Sequence, residues 1–474
     1  MCLTIPGKIL SIKDGIATVK SSTETAQIDL SFVLDAKPGD WILFATNRAV
    51  KVISESDAKE IISLLEDHYS KVDVSKLPLK FKKIIFKVRS QHSNNSSNKM
   101  RSSRQARTII DDSVLTKDEI IYLLNLKGKE NLETLFAEAN SIRKERIEDF
   151  VCIHGIIEFS NFCKNDCLYC GLRKSKKTSR YRMTCREIEN VAKKSVEDDS
   201  YKLLVLQSGE DDHYLDDDLI KIILNIRAKM KVFIFLSVGE RSKSFYDRAK
   251  KAGASGALIR FESSDNDFYA KIRPGHKLQD RLDIINHLRD TGYYVATGSL
   301  FGLPGQTLEQ IADDLLTIKK LGIPMISSGP WLAASGTPLA GKNFQFPISN
   351  FQSNPKYQIS KKISNFTWQN TIYNIQNTTE RLELALKYIA VARFMMPEIK
   401  IPVTTALETL DPDGRHKALL AGANALMFNL TPEKYCEKYS IYDNKYRERE
   451  KVWQKYGLFS GEESWEMLEE RLML

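Results

Sequence analysis

Cys163, Cys167 and Cys170 stand at C-x3-C-x2-C spacing inside SNFCKNDCLYCGLR, Ser160 to Arg173. Thiolates are soft ligands, and three of them in one short loop can grip three corners of an iron-sulfur cube. A [4Fe-4S] cluster takes four ligands, and no fourth cysteine follows nearby, so one iron keeps an open position for a small molecule. A zinc knuckle is a competing reading, but it needs a fourth Cys or His at similar spacing. A chance cluster of buried thiols is the other. In a reducing compartment cysteines spaced this way are more often ligands than packing.

Such a loop needs a rigid frame. Thr116 caps a helix (KDEIIYLLNL), Glu130 to Arg146 gives a second, and both lead into a first strand, Cys152 to Phe159. Strand-type runs then alternate with amphipathic helical ones: Lys202 to Gln207, Val232 to Val238, Gly256 to Phe261, Tyr293 to Ser299, Pro324 to Ser328, Ile399 to Thr405 and Ala423 to Phe428. The pattern predicts an α/β fold, a (β/α)8 TIM-type barrel, with its site at the C-terminal strand ends. The cysteine loop directly follows strand one and so falls on that face. Other strand ends there carry polar groups: QSGED (Gln207, Ser208 and Gly209, then Glu210 and Asp211), Ser237 in LSVGE, and Arg260 with Glu262, two residues apart and on one face. Arg281, in RLDIINHL, is placed to reach a carboxylate bidentately. GLPGQT (Gly302 to Thr307) opens a helix whose N-terminus would attract an anion, and Thr404 and Thr405 are candidate anion ligands.

Upstream, residues 1–70 read as a small β-barrel, OB-like, with a C-terminal helix. Short alternating runs are separated by Pro6-Gly7, Asp14-Gly15 and Pro38-Gly39, and Ser56 opens the helix SDAKEIISLLED. Residues 71–110 read as a basic Ser/Asn-rich linker, and 111–474 as the barrel domain with an insertion at about 342–378, rich in Asn, Gln and Ser. The net charge of +9 is local, because ten Lys or Arg and no acid lie between Asp73 and Asp111, which leaves 9 − 10, about −1, for the rest. That segment lacks the interleaved aromatics of a single-strand binder, so no nucleic-acid partner is expected. No run of 18 apolar residues exists and no secretion signal opens the chain, so a soluble, cytoplasmic protein with no membrane partner is expected. The seven cysteines are too few and too clustered for a disulfide framework.

The cysteine spacing, with Tyr169 before the third cysteine, resembles radical S-adenosylmethionine (SAM) enzymes. There the open iron chelates SAM and passes it an electron from an external donor, releasing a 5′-deoxyadenosyl radical. FSNFCKNDCLYCGLR, RYRMT, LVLQSGED, LSVGE, GSLFGLPGQT, IPVTTA and GANALMFNLTP together resemble HydE, the radical SAM maturase of [FeFe]-hydrogenase, over about Leu115 to Tyr435. The resemblance implies Cys163, Cys167 and Cys170 as cluster ligands and SAM contacts from Gln207, Ser208, Gly209, Ser237, Arg260, Glu262 and Arg281. Thr404 and Thr405 would face a small iron- or sulfur-bearing substrate. MCLTIPGKI and PGDWILF resemble the HypC family of hydrogenase chaperones, which implies Cys2 as a ligand to an iron carbonyl/cyanide fragment and hydrogenase maturation proteins or the hydrogenase large subunit as partners. Ala45 stands where that family has a histidine. GPWLAASGTP departs from the HydE pattern, with Ala333, Ala334 and Ser335 in place of a Pro/His-containing version, and Cys436 alone does not provide for a second cluster. Two further readings stand beside this one: a radical SAM mutase of the methylornithine-synthase type, and a non-catalytic assembly scaffold. Biotin-synthase chemistry needs a second, sulfur-donating cluster, for which Cys152, Cys185 and Cys436 are too scattered.

Overall fold

The computed structural model describes residues 5–21, 25–31, 33, 35–45, 48–59, 77–96, 115–147, 151–198, 201–340 and 378–445. Cys2 and nearly all of the 342–378 insertion lie outside them.

The N-terminal unit is a closed barrel of five strands: β1 (Ile5–Lys13), β2 (Ile16–Ser21), β3 (Thr25–Asp29), β4 (Trp41–Ala45) and β5 (Arg48–Ile53), in the order β1-β2-β3-β5-β4. Pairing is antiparallel except between β3 and β5, an arrangement of the OB type. Asp14 and Gly15, both at positive φ (51° and 78°), make the tight turn between β1 and β2 that the Asp-Gly pair announces. Alternate residues Ile9, Val19, Ile28, Ile42 and Phe44 fill the interior. The following helix starts two residues earlier than expected. Ser54, not Ser56, accepts the Asp57 N–H at 3.0 Å, because a cap must sit outside the first turn and Glu55 already belongs to it.

A larger departure concerns the stretch read as linker. Leu79–Ser96 is a helix. Phe81, Ile84, Ile85 and Val88 are buried in the same apolar cluster as the barrel helices, at the i, i+3, i+4, i+7 spacing of one helical face. Lys87 pairs with Glu119 at 2.8 Å and Arg89 with Glu138, so part of the local positive charge is neutralised by the barrel's own acids.

The second unit holds eight parallel strands: β6 (Cys152–Ser160), β7 (Leu203–Ser208), β8 (Phe233–Ser237), β9 (Gly256–Leu258), β10 (Tyr294–Thr297), then, after a short β11 (Leu300–Phe301), β12 (Met325–Ile326), and, after a short β13 (Gly329–Pro330), β14 (Pro402–Val403) and β15 (Ala425–Asn429). They run in the order β12-β10-β9-β8-β7-β6-β15-β14. A parallel bridge between Met325 and Lys400 brings the two ends together, with Ile326 N–H donating to Lys400 O at 2.9 Å and Lys400 N–H to Pro324 O at 3.0 Å. Period-two alternation divides each strand between two cores. Ile153, Ile157 and Phe159 of β6 join the helix layer, whereas Cys152 and Ile156 meet Val205, Phe235, Met325 and Met427 inside the barrel. Among the described residues no helix is long and apolar enough to cross a membrane.

Asp314, on the helix Leu308–Leu321, is fully buried and accepts hydrogen bonds from Ser264 N–H (2.6 Å) and Oγ (2.7 Å). Burial pushes its pKa up to about 7 from an unfolded value near 3.8. Between those values the folded chain holds a proton that the unfolded chain has lost, so stability falls as pH rises through that window. Asp314→Asn is expected to flatten the decline of Tm between about pH 4 and pH 7, measured by anaerobic thermal melts across that range. An unaltered slope would remove Asp314 from the account.

Candidate active site

The cysteine loop leaves β6 and is fixed from three directions. From β7, Gly209 N–H donates to Ser160 O (3.1 Å) and Lys164 N–H to Glu210 O (2.9 Å). From the RYRMT segment, Arg180 bonds the carbonyls of Asn161, Leu172 (2.9 Å) and Arg173 (2.7 Å). Arg182 grips Asp211 through both carboxylate oxygens (2.8 and 2.9 Å) and lies 3.6 Å above the Phe162 ring. From the C-terminal segment, Ile441 O accepts the Gly171 N–H (2.9 Å) and Lys438 O accepts from Asn161 Nδ2 (2.8 Å). Only glycine fits at 209, since a Cβ there would lie 2.1 Å from Phe162 O and 2.9 Å from Cys163 Cβ.

The three thiols line a cavity of about 280 Å³ at the C-terminal ends of the strands. The same cavity brings together the residues expected to hold SAM and substrate: Gln207, Ser208, Gly209, Ser237, Arg260, Glu262, Arg281, Thr404 and Thr405. Ser237 Oγ donates to Gln207 Oε1 at 3.3 Å, and Arg260 Nε lies 3.4 Å from Glu262 Oε2. Glu262 sits at φ 65°, a left-handed conformation that costs a non-glycine residue roughly 1 kcal/mol or more. Its backbone is held there by bonds from Glu262 N–H to Gly298 O (3.2 Å) and from Leu300 N–H to Glu262 O (2.9 Å). Thr404 Oγ1 faces the cavity without a protein partner, whereas Thr405 Oγ1 is bonded to Tyr442 OH at 2.7 Å.

Two expectations need amending. Arg281 is already committed, with Nε on Glu240 (2.6 Å) and Nη2 on Glu210 (3.2 Å), and Arg273 approaches the same two acids at 3.6 and 3.7 Å. Burial, followed by the charge of Glu210, raises the Glu240 pKa. The GLPGQT turn does not line the cavity. Thr307 Oγ1 and the Gln310 side chain satisfy the helix start by a capping box, so its dipole end is already occupied.

Other lining residues were not singled out from sequence: Arg273, Glu158, Trp331, Tyr439, Tyr442 and Lys445. Glu158 accepts from Asn429 Nδ2 (2.9 Å) and is ion-paired with the buried Lys445, which also lies 4.8 Å from the Tyr439 ring. Glu158 stood on the first strand at inward phase, which was a usable signal; Lys445 lies outside every strand and helix expected from the sequence and had none. Cys436 does not line the cavity; it is buried and accepts from Asn429 Nδ2 at 3.2 Å.

Residues 157–318 match the Radical SAM superfamily and residues 1–65 the HupF/HypC family. The [FeFe] hydrogenase maturase subunit HydE of Thermotoga maritima is 36% identical over 331 residues, covering 70% of this chain and 84% of that one. The chain belongs to the HydE family. HydE-family membership makes it a radical SAM enzyme, whose cofactors are a [4Fe-4S] cluster and SAM. The 3-methylornithine synthase of Methanosarcina barkeri is 26% identical over 72% of this chain and 87% of its own length. Among solved structures, methylornithine synthase superposes with a TM-score of 0.58 at 25% identity, covering 71% of this chain and 89% of that one. HydG, a maturase of the [FeFe]-hydrogenase, gives 0.56 at 18% over 84% and 77%, a likeness of fold alone.

The cavity fits both cofactors. Burial, the leading cause, pushes Cys167 and Cys170 up to about 12, so thiolates form there only with a metal's charge beside them. Among the described residues no three His, Cys, Asp or Glu side chains converge on one ion. Glu262 Oε2, Glu210 Oε2 and Thr404 Oγ1 are buried against the cavity with no hydrogen-bond partner, which is the provision a polar, zwitterionic molecule would use.

Proposed function

We propose that this protein assembles a hydrogenase metallocofactor: the barrel acts on a small iron- or sulfur-bearing precursor, and the N-terminal unit delivers the product or docks the hydrogenase or another maturation protein. The observation that carries the reading is that one chain joins a HydE-family barrel to a HypC-family unit. When bound, the cluster supplies one electron to SAM, whose cleavage provides a 5′-deoxyadenosyl radical. Cys163, Cys167 and Cys170 ligate the cluster; Gln207, Ser208, Gly209, Ser237, Arg260 and Glu262 hold SAM. Arg281 acts through the buried Glu210 and the half-buried Glu240, neutralising two acids and fixing their orientation beside that site. Thr404, with its unpartnered hydroxyl, and Thr405 face the substrate. The protein works in the cytoplasm with an external electron donor.

Covalent linkage of the two units raises their mutual concentration to about the millimolar range, so weak docking suffices for transfer. Cys2→Ala is expected to abolish iron transfer while SAM cleavage stays within about twofold of wild type, read by iron content on the acceptor and by 5′-deoxyadenosine. Equal loss of both would end the division of labour. The activity itself is tested on anaerobically reconstituted protein: SAM should perturb the EPR signal of the reduced cluster, with deoxyadenosine formed. A cluster indifferent to SAM would leave the scaffold reading. The likeness to methylornithine synthase supports a mutase as second reading, and a rearranged product from lysine would establish it.

A further inference from the structure

If SAM is cleaved reductively in this cavity, the electron must arrive from outside the chain, so the surface beside the cysteine loop decides what can bring it. Directly after Cys170 the chain runs through Arg173, Lys174, Lys176, Lys177 and Arg180 without an acid. This stretch is fastened to the cysteine loop itself. Lys174 N–H donates to Asn165 O at 2.8 Å, between the first and second cysteines, and Ser175 N–H to Asp166 Oδ1 at 3.0 Å. The Arg180 guanidinium ties Leu172, Arg173 and Lys176 together by their carbonyls, at 2.9, 2.7 and 3.2 Å.

Several acids of neighbouring segments carry their own basic partners, and Asp443, beside Gly336, accepts from Ser335 N–H and Oγ. Asp166 holds Arg173 (3.0 Å), Asp212 holds Lys164 (2.9 Å), Asp216 holds Arg241 (2.8 Å) and Asp217 holds Arg248. Lys174, Lys176 and Lys177 have no acidic partner among the described residues, and Lys174 and Lys177 are exposed. What is left is a net positive, backbone-anchored rim one hydrogen bond away from the cluster ligands.

We propose that the Arg173–Arg180 loop is the docking surface for an acidic one-electron carrier protein that reduces the cluster. This rests on the radical SAM reading of the cavity. Opposite charge steers the encounter and sets the register, while the anchoring bonds hold the contact surface rigid against the cysteine loop. One electron leaves the reduced carrier, which is thereby oxidised by one electron, and enters the oxidised cluster; no bond forms or breaks and no proton is exchanged at the interface.

The test uses an acidic flavodoxin as probe and the full chain carrying Lys174→Glu and Lys177→Glu; Lys176, which is only half-exposed, is left alone. Binding to cluster-free protein is measured by biolayer interferometry at low and high salt. The proposal expects wild-type affinity to weaken with salt and the double variant to lose about tenfold or more at low salt. In loaded enzyme, flavodoxin-driven deoxyadenosine formation should fall in step, while the dithionite-driven rate stays at wild-type level, which also shows that the variant is folded. An affinity unmoved by the charge reversals overturns the proposal, whether the carrier docks elsewhere or another part of the chain covers the loop. A wild-type protein inactive even with dithionite would instead strike the radical SAM reading.

Discussion

Cys167→Ser is expected to remove the cluster, taking iron from about four per chain to near none, and to cut SAM cleavage by about a thousandfold or more. Cys167 is 8% exposed, and its backbone is set by Leu168 N–H donating to Ile272 O at 2.9 Å, so serine would occupy the same place. What changes is the ligand. A thiol that burial raises to about 12 still ionises when metal charge arrives, whereas a buried hydroxyl ionises far less readily and is a poor partner for iron. Cys436→Ser, at a buried thiol bonded to Asn429, should keep the cluster and most of the activity. The pair of variants is compared by iron and sulfide content, visible absorption and deoxyadenosine yield. Full cluster retention in Cys167→Ser would strike that residue from the ligand set.

Gly209→Ala should be nearly as damaging by a different route. The new methyl would fall 2.1 Å from a backbone oxygen of the cysteine loop, an atom that cannot swing aside as a side-chain tip can. Either β7 retreats, losing the bonds to Ser160 and from Lys164, or the loop shifts and carries Cys163 with it. Destabilisation of about 2–4 kcal/mol is expected, with faster cluster loss on dilution into chelator. Anaerobic melts and the bleaching rate of the cluster absorbance measure both. A melting temperature and bleaching rate equal to wild type would mean the approach at Gly209 is looser than described.

Much of this site was readable because strand ends in a (β/α)8 barrel converge, so residues from Cys163 to Thr405 meet without any local signal linking them. The strands themselves were legible from short apolar runs between amphipathic helices. Leu79–Ser96 was illegible as a helix because its lysines give a linker-like composition, while the Phe81, Ile84, Ile85, Val88 stripe that buries it is short. The commitment of Arg281 to Glu240 and Glu210, joined by Arg273, is purely spatial, and no spacing in the chain encodes it. Lys445 was illegible for the same reason, since its partner Glu158 lies 287 residues earlier.

That long-range pairing bears on how the protein is made. Ribosomes deliver the cysteine loop early, but Lys438 and Ile441, which brace it, and Lys445, which lines its cavity through the pair with Glu158, are synthesised much later. A nascent chain halted anywhere before residue 445 therefore has its three thiols but not their finished enclosure. Iron and sulfide are consequently best loaded after translation ends, and a chain truncated just short of Lys445 would leave its cluster open to oxygen on the side where the tail belongs.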